Sequence, residues 1–358
     1  MRSLDWRTFL GRPRLPSPPL DALDSLYRQP ILITGAAGTI GTALALRLGN
    51  ICPSTLLLDT SESRLYELQQ SWSTEGVSGS MTPILGNVTD RTLLDEVFTV
   101  HAPRLVYHTA SFKHVALMEQ QPIAAIANNV FGTLTLTRAA SAAGARVILL
   151  SSDKAVEPTS VVGATKRLSE LIVLAAGGTV VRLGNVLGSR GSVTETFARQ
   201  LALGHPLTIT DPAARRYFMT LDEAVNMLLT VVAEPSASLL VPEIASPNYI
   251  TDLAHFIATS LAPGAAVALD FTATRPGEKD PVHFWSSCES PRPASQRGLL
   301  SIDIPPVDEG ALESSLAALR LAVDARDRAA ALLHLTALIP GYEPGAVAIA
   351  AADHPVSS

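Results

Sequence analysis

Cysteine is nearly absent: Cys52 and Cys288 are the only two in 358 residues. With no Cys-x-x-Cys pair and no His-rich cluster, a disulfide framework is excluded and no metal site is expected. Both thiols are read as reduced core residues. Positive charge is also scarce, with 27 Lys and Arg against 33 Asp and Glu and a net charge of -6. Phosphate-backbone affinity comes from clustered Lys and Arg, so nucleic acid is not expected as a partner. No apolar run approaches the roughly 18 residues of a membrane span. The opening MRSLDWRTFLGRPRLPSPPL lacks the continuous apolar stretch of a signal peptide, so a protein of the cytoplasm without a membrane span is expected. Apolar side chains, in contrast, are plentiful: 47% of residues are hydrophobic and 17% charged, enough core for one large unit or two fused lobes.

Four prolines between positions 12 and 19 argue against a helix there and suggest a tether on the surface, so residues 1–29 read as an extension. From Pro30 onward, short apolar runs (ILITG, STLLLD, TPILGN, RLVYHTA, RVILLSS, TVVRLGNV) alternate with helix-like segments. Such runs read as strands buried on both faces, and the alternation predicts an α/β fold with a doubly wound parallel sheet of the Rossmann kind over 30–185. Beyond Asn185 turn-rich pieces interrupt the alternation, predicting a smaller C-terminal substrate-binding lobe over 186–300. Residues 216–234 are expected to return to the first domain, through a helix announced by the Thr220-x-x-Glu223 capping box. Over 301–358 the sequence predicts two packing helices, the first with Leu312, Leu316 and Leu319 on one face, and a frayed tail after Pro340.

The strand ILIT runs into Gly35-Ala36-Ala37-Gly38-Thr39-Ile40-Gly41 and then a helix. Glycines spaced this way, between a first strand and its helix, let backbone approach a pyrophosphate at the helix N-terminus, so Gly35, Gly38, Thr39, Ile40 and Gly41 are assigned to a dinucleotide. Asp59 closes the second strand, where an acidic residue takes ribose hydroxyls; the alternative is a capping role before SESRLYEL. A carboxylate there meets the extra phosphate of NADP at about 4 kcal/mol for 4 Å and an effective dielectric of 20, which favours NAD. Asn87 falls where an adenine contact would lie and equally suits a turn.

The fifth strand ends in Ser151-Ser152-Asp153-Lys154, and Lys166 follows early in the helix of VVGATKRLSELIV. A hydroxyl, a carboxylate and an ammonium together suit proton transfer, whereas a solvated loop is the plainer reading. Together TASFKHVALMEQQP, SSDKAVEPTSVVGATKRLSE, RLGNVLGSRGSV, RRYFMTLDEAV and RPGEK closely resemble the UDP-N-acetylglucosamine 4,6-dehydratase family of surface-glycan biosynthesis, the CapD-like extended short-chain dehydrogenases, over roughly residues 10 to 340. Many members carry an N-terminal membrane domain, so the chain looks like a soluble short form. The resemblance implies oxidation of the sugar at C4, elimination across C5 and C6, and hydride return to C6. In those terms Lys154 takes the C5 proton, Asp153 protonates the departing hydroxyl, Ser152 replaces a common threonine, and Lys166 bonds the nicotinamide ribose. Four positions before Lys166, where one branch has tyrosine and another methionine, this chain has Val162.

By the same resemblance Asn185, Arg190, Ser192, Arg275 and Glu278 hold a UDP-sugar, with the Arg275 guanidinium matched to its diphosphate. Lys113 is a further substrate candidate, His114 a weaker one, and Arg216 with Tyr217 resembles a segment closing over the nucleotide. Asn185 also suits an ordinary turn. A homo-oligomer is expected, because related enzymes pair through helices matching ANNVFGTLTLTRAA and ATKRLSELIVLA, whose apolar faces are wider than a monomer needs. Two other functions compete: a nucleotide-sugar epimerase on the same fold, and a catalytically silent dinucleotide-binding protein.

Overall fold

A computed structural model describes residues 4–353 except 25, 27, 28, 235, 265, 274–276 and 278–281. Six strands alternate with helices: β1 (Ile31–Thr34), β2 (Ser54–Asp59), β3 (Ser80–Leu85), β4 (Leu105–His108), β5 (Arg146–Ser152) and β6 (Thr179–Leu183). They lie parallel in the spatial order 3-2-1-4-5-6, extended beyond β6 by Leu239–Pro242 in parallel and by Leu299–Asp303 and Ser290–Pro293 in antiparallel. This is the doubly wound Rossmann arrangement, whose ligands bind beyond the carboxyl ends of the strands. β1, β4 and β6 are buried along their whole length, as continuous apolar runs require when helices cover both faces. β3 departs from that expectation. It is the sheet edge, leaves Leu85 58% exposed, and accommodates Pro83, which costs nothing where no further strand needs its N–H.

After β6 the chain kinks at Gly184, where a Cβ would come within 2.5 Å of the Tyr217 carbonyl oxygen. Asn185–Val186 then pairs with Phe218–Met219 rather than prolonging the sheet. A separate apolar cluster forms there from Phe197, Leu207, Ile209, Leu253 and Ile257. The helix Leu221–Thr230 opens with the reciprocal Thr220/Glu223 capping box and packs Ala224, Met227 and Leu228 into the main core.

The N-terminal segment is fastened rather than loosely tethered. Phe9 meets Phe218 edge-on at 5.6 Å, and Arg12 forks onto the Glu223 carboxylate at 2.7 and 3.0 Å. Toward the C-terminus, helices Glu309–Asp324 and Arg328–Leu338 bury Leu312, Leu316 and Leu319 on one face. The tail is not frayed before Asp353: Tyr342 is buried, and a further helix, Ala346–Asp353, buries Ala348. These C-terminal elements also lie on the faces expected to pair subunits, since Ile126, Phe131, Leu168 and Ile172 share one cluster with Leu316 and Leu335. Only one cysteine is a core thiol: Cys52 is buried, which pushes its pKa up to about 12, whereas Cys288 is exposed. Among the described residues no helix is long and apolar enough to cross a membrane.

Candidate functional site

The glycine turn is dictated by contact. Gly35 has φ +65°, and a Cβ there would lie 2.6 Å from the Ala110 nitrogen; at Gly41 a Cβ would lie 2.2 Å from the Gly35 oxygen. Gly38 caps the helix Thr39–Gly49 without any side chain on its first N–H groups, which leaves backbone donors at a bare helix N-terminus. Asp59 at the end of β2 accepts from the Ala37 N–H (3.0 Å) and the Ser61 N–H (2.9 Å), so its carboxylate is fixed beside the turn. It caps no helix; Ser61 occupies the N-cap position. Side chains are thus excluded where a pyrophosphate backbone contact needs room, an acid stands at the ribose position, and the residues present fit a dinucleotide. Asn87 is a turn residue whose Oδ1 accepts from the Thr89 N–H at 3.0 Å. Ile40 packs partly buried against the core.

At the carboxyl end of β5 the expected chemical groups are joined. Ser152 Oγ donates to Asp153 Oδ1 at 2.7 Å, Lys154 Nζ reaches the same oxygen at 3.1 Å, and Lys154 Nζ also donates to Asn185 Oδ1 at 3.3 Å. Asp153 is wholly buried, yet its Oδ2 has no hydrogen-bond partner among the described residues. An orphaned carboxylate oxygen in such a place costs free energy unless a ligand or a proton meets it. Lys166 lies within the helix Val161–Ala175 and donates to the Leu150 carbonyl at 2.9 Å; burial pulls its pKa down to about 8, with Glu170 acting in the opposite sense. Val162 is buried in an apolar cluster with Met118, Val161, Leu332 and Ala348 and supplies no proton-carrying group.

Sequence reasoning missed what lies beneath. Arg182 on β6 is fully buried and binds Glu170 by Nε and Nη2 (2.9 and 2.8 Å) and Glu289 by both Nη atoms (2.7 and 2.9 Å). Ser151 Oγ donates to Glu170 Oε1 at 2.6 Å, and Arg167 bridges Glu170 and Glu289. Burial opposes the charges on Glu170, Arg182 and Glu289, but Arg182 outweighs it and draws the Glu289 carboxyl down to about 2. His108 on β4 was also missed: it sits between Thr34 and Thr133, and burial, then Lys166, lowers its pKa to about 3, so it stays neutral. Tyr217 stacks on Phe284 at 4.6 Å; burial, and then the Asp153 carboxylate, raise its phenol pKa. A buried arginine at the end of an apolar run was the one available signal for the ion network.

Across the mouth, the loop Gly188–Ser192 joins both sides of the cleft. The Arg190 N–H donates to Thr39 Oγ1 (3.1 Å), its carbonyl accepts from Lys113 Nζ (2.8 Å), and its guanidinium lies 3.6 Å from Glu67. Burial lowers the Lys113 pKa, and His114 packs against Gly191. Ser192 shares a 2.7 Å hydrogen bond with Thr194 at the start of the helix Val193–Ala202. Arg216 Nη1 donates to the Arg215 carbonyl. Arg275 and Glu278 lie outside the described residues; between them, the Gly277 carbonyl accepts from Thr159 Oγ1 at 3.3 Å, on the loop entering the Lys166 helix.

The model of the family described as "Polysaccharide biosynthesis protein" matches residues 31–297. The capsular polysaccharide biosynthesis protein CapD of Staphylococcus aureus is 36% identical over 266 residues, 71% of this chain and 44% of that protein. A UDP-glucose 4-epimerase of Rickettsia canadensis is 31% identical over 73% of this chain and 77% of its own length. An inverting UDP-N-acetylglucosamine 4,6-dehydratase of Campylobacter jejuni is 32% identical over 65% and 72%. The chain spans about half the length of CapD and of the probable polysaccharide biosynthesis protein EpsC of Bacillus subtilis, to which it is 35% identical over 78% of its own length. With its Rossmann sheet, its glycine turn and a family match over most of its length, the chain belongs to the polysaccharide biosynthesis protein family.

Proposed function

We propose that the chain is an NAD-dependent 4,6-dehydratase acting on a UDP-N-acetylhexosamine, UDP-N-acetylglucosamine first, to give the 4-keto-6-deoxy sugar for a surface glycan. The observation that carries this reading is the Ser152–Asp153–Lys154–Asn185 group with its unpartnered Asp153 oxygen. Elimination across C5 and C6 needs a base and an acid on adjacent carbons, and Lys154 and Asp153 are adjacent in the chain and in contact. Ser152 relays the proton of the C4 hydroxyl to Asp153, Asp153 passes it to the C6 hydroxyl that departs as water, and Lys154 takes the C5 proton and returns it to C5 when hydride adds at C6, a general acid–base contribution of about 10² to 10⁴-fold. NAD, when bound, supplies hydride removal from C4 and its return to C6. Lys166 orients the nicotinamide ribose. Gly35, Gly38, Thr39, Ile40, Gly41, Asp59 and Asn87 hold the rest of the dinucleotide, the fixed Asp59 charge favouring NAD over NADP. Lys113, Asn185, Arg190, Ser192 and Arg216, with Arg275 and Glu278, hold the UDP-sugar.

The epimerase relative keeps a second reading open, a 4-epimerase on the same fold. Against it stands Val162, an aliphatic residue in an apolar cluster at the position that carries a phenol in tyrosine-dependent enzymes. The test is proton NMR of the protein with UDP-N-acetylglucosamine and NAD. A new C6 methyl signal supports dehydration. A galacto-configured sugar supports epimerisation, and no conversion with both ligands bound supports a silent binding protein.

A further inference from the structure

Glu119, on the helix Val115–Gln120, is a wholly buried carboxyl outside both the reactive group and the Arg182 network. Its Oε1 accepts from the Val161 N–H at 2.7 Å. That N–H begins the helix Val161–Ala175, and the N-cap hydroxyl of Ser160 takes the Gly163 N–H at 3.1 Å. The first N–H groups of a helix have no partner inside it, so an oxygen from elsewhere must meet them. The second oxygen, Oε2, has no hydrogen-bond partner among the described residues, and neither has the hydroxyl of the buried Tyr342. The C-terminal segment closes over that oxygen, since a Cβ at Gly345 would lie 3.4 Å from it. Buried polar atoms left unsatisfied cost free energy, and a helix can be capped at the surface without them. Stability alone therefore does not account for Glu119.

We infer that Glu119 is a positioning residue, which holds the first turn of the Lys166 helix and through it the separation of Lys154 from Lys166. The link to Lys154 is steric: a Cβ at Gly163, on that turn, would lie 2.4 Å from the Lys154 carbonyl oxygen. The backbone of one lysine thus rests against the turn, and the other lysine follows in the same helix. Glu119 acts through the backbone between them. The inference rests on the dehydratase reading for what the two lysines do, one as base at C5 and one on the nicotinamide ribose. Their separation then sets the distance from base to cofactor, and a displacement of about 1 Å in such a constellation costs about 10²-fold in rate.

The test compares Glu119→Leu, which removes the acceptor, with Glu119→Gln, which keeps an acceptor oxygen. The readouts are kcat and KM with UDP-N-acetylglucosamine and NAD, hydrogen exchange of the 161–166 amides, and acetic anhydride labelling of Lys154 and Lys166. Glu119→Leu is expected to lower kcat by about 10- to 100-fold with little change in KM, to speed exchange over 161–166 and to alter the labelling ratio of the two lysines. Glu119→Gln is expected to recover kcat to within a few fold of the native chain. Should Glu119→Leu fail to fold, Gly163→Ala tests the same linkage with Glu119 intact, because its Cβ displaces the Lys154 carbonyl and should lower kcat likewise. A folded Glu119→Leu with native kcat or an unchanged labelling ratio overturns the proposal. So does a Glu119→Gln no better than Glu119→Leu, or native kcat in Gly163→Ala. If the native chain forms no 4-keto-6-deoxy sugar, it is the dehydratase reading that fails; exchange and labelling need no turnover and still decide for or against Glu119.

Discussion

The two halves of the cleft are built on opposite principles. Around β1 and β2 the site is a matter of shape: Gly35 and Gly41 leave no room for a Cβ, and a short helix presents bare N–H groups. Around β5 and β6 it is a matter of charge. Six ionisable side chains form ion pairs there in two separate sets, Asp153 with Lys154 in the reactive group and Arg167, Glu170, Arg182 and Glu289 in a buried network. A shape-built site should fail by losing its ligand while the protein stays folded. A charge-built one should fail in chemistry or in stability, according to which charge is removed.

The largest expected effect is on chemistry. Lys154→Ala should lower turnover by about 10² to 10⁴-fold with NAD affinity retained, as measured by product formation and cofactor titration. Next, Gly41→Val should abolish NAD binding with little change in the circular dichroism of the native fold, because the added carbons collide with the Gly35 oxygen; retained affinity would break the comparison from the shape side. Removing one partner of a buried ion pair costs about 3–5 kcal/mol, so Arg182→Met should lower denaturation stability by that order, since it strands Glu170 and Glu289.

Smaller, and sharper, is a pH effect. Lys166 has its pKa lowered to about 8 by burial, so its charge is present below that value and lost above it. Turnover that needs the ammonium should fall as pH rises through about 8. Because Glu170 opposes the lowering, Glu170→Gln should move that edge to lower pH, provided the variant remains folded. The smallest effect is expected from Thr39→Val, which removes the acceptor for the Arg190 N–H and should raise the KM for the sugar by a few fold with kcat preserved.

The same contrast explains what the sequence disclosed. The β-α alternation and the glycine spacing are local patterns, and each element from β1 to β6 lies on a run that could be read directly. Ser152, Asp153 and Lys154 were legible because they are consecutive at a strand end. Arg182 and Glu289 are 107 positions apart and are joined only by folding, so no spacing rule finds them. Edge position was equally invisible: TPILGN has the composition of a buried strand, and only the sheet order leaves it half exposed. The C-terminal helices were seen in the sequence, but not the face they cover.

The central claim, that hydrogen leaves C4 and returns to C6 in a single site organised by Asp153 and Lys154, is tested most directly with UDP-N-acetylglucosamine deuterated at C4. The account predicts that the deuterium reappears in the new C6 methyl group, and that Lys154→Ala prevents this transfer. Deuterium retained at C4 of a recovered or epimerised sugar would contradict it.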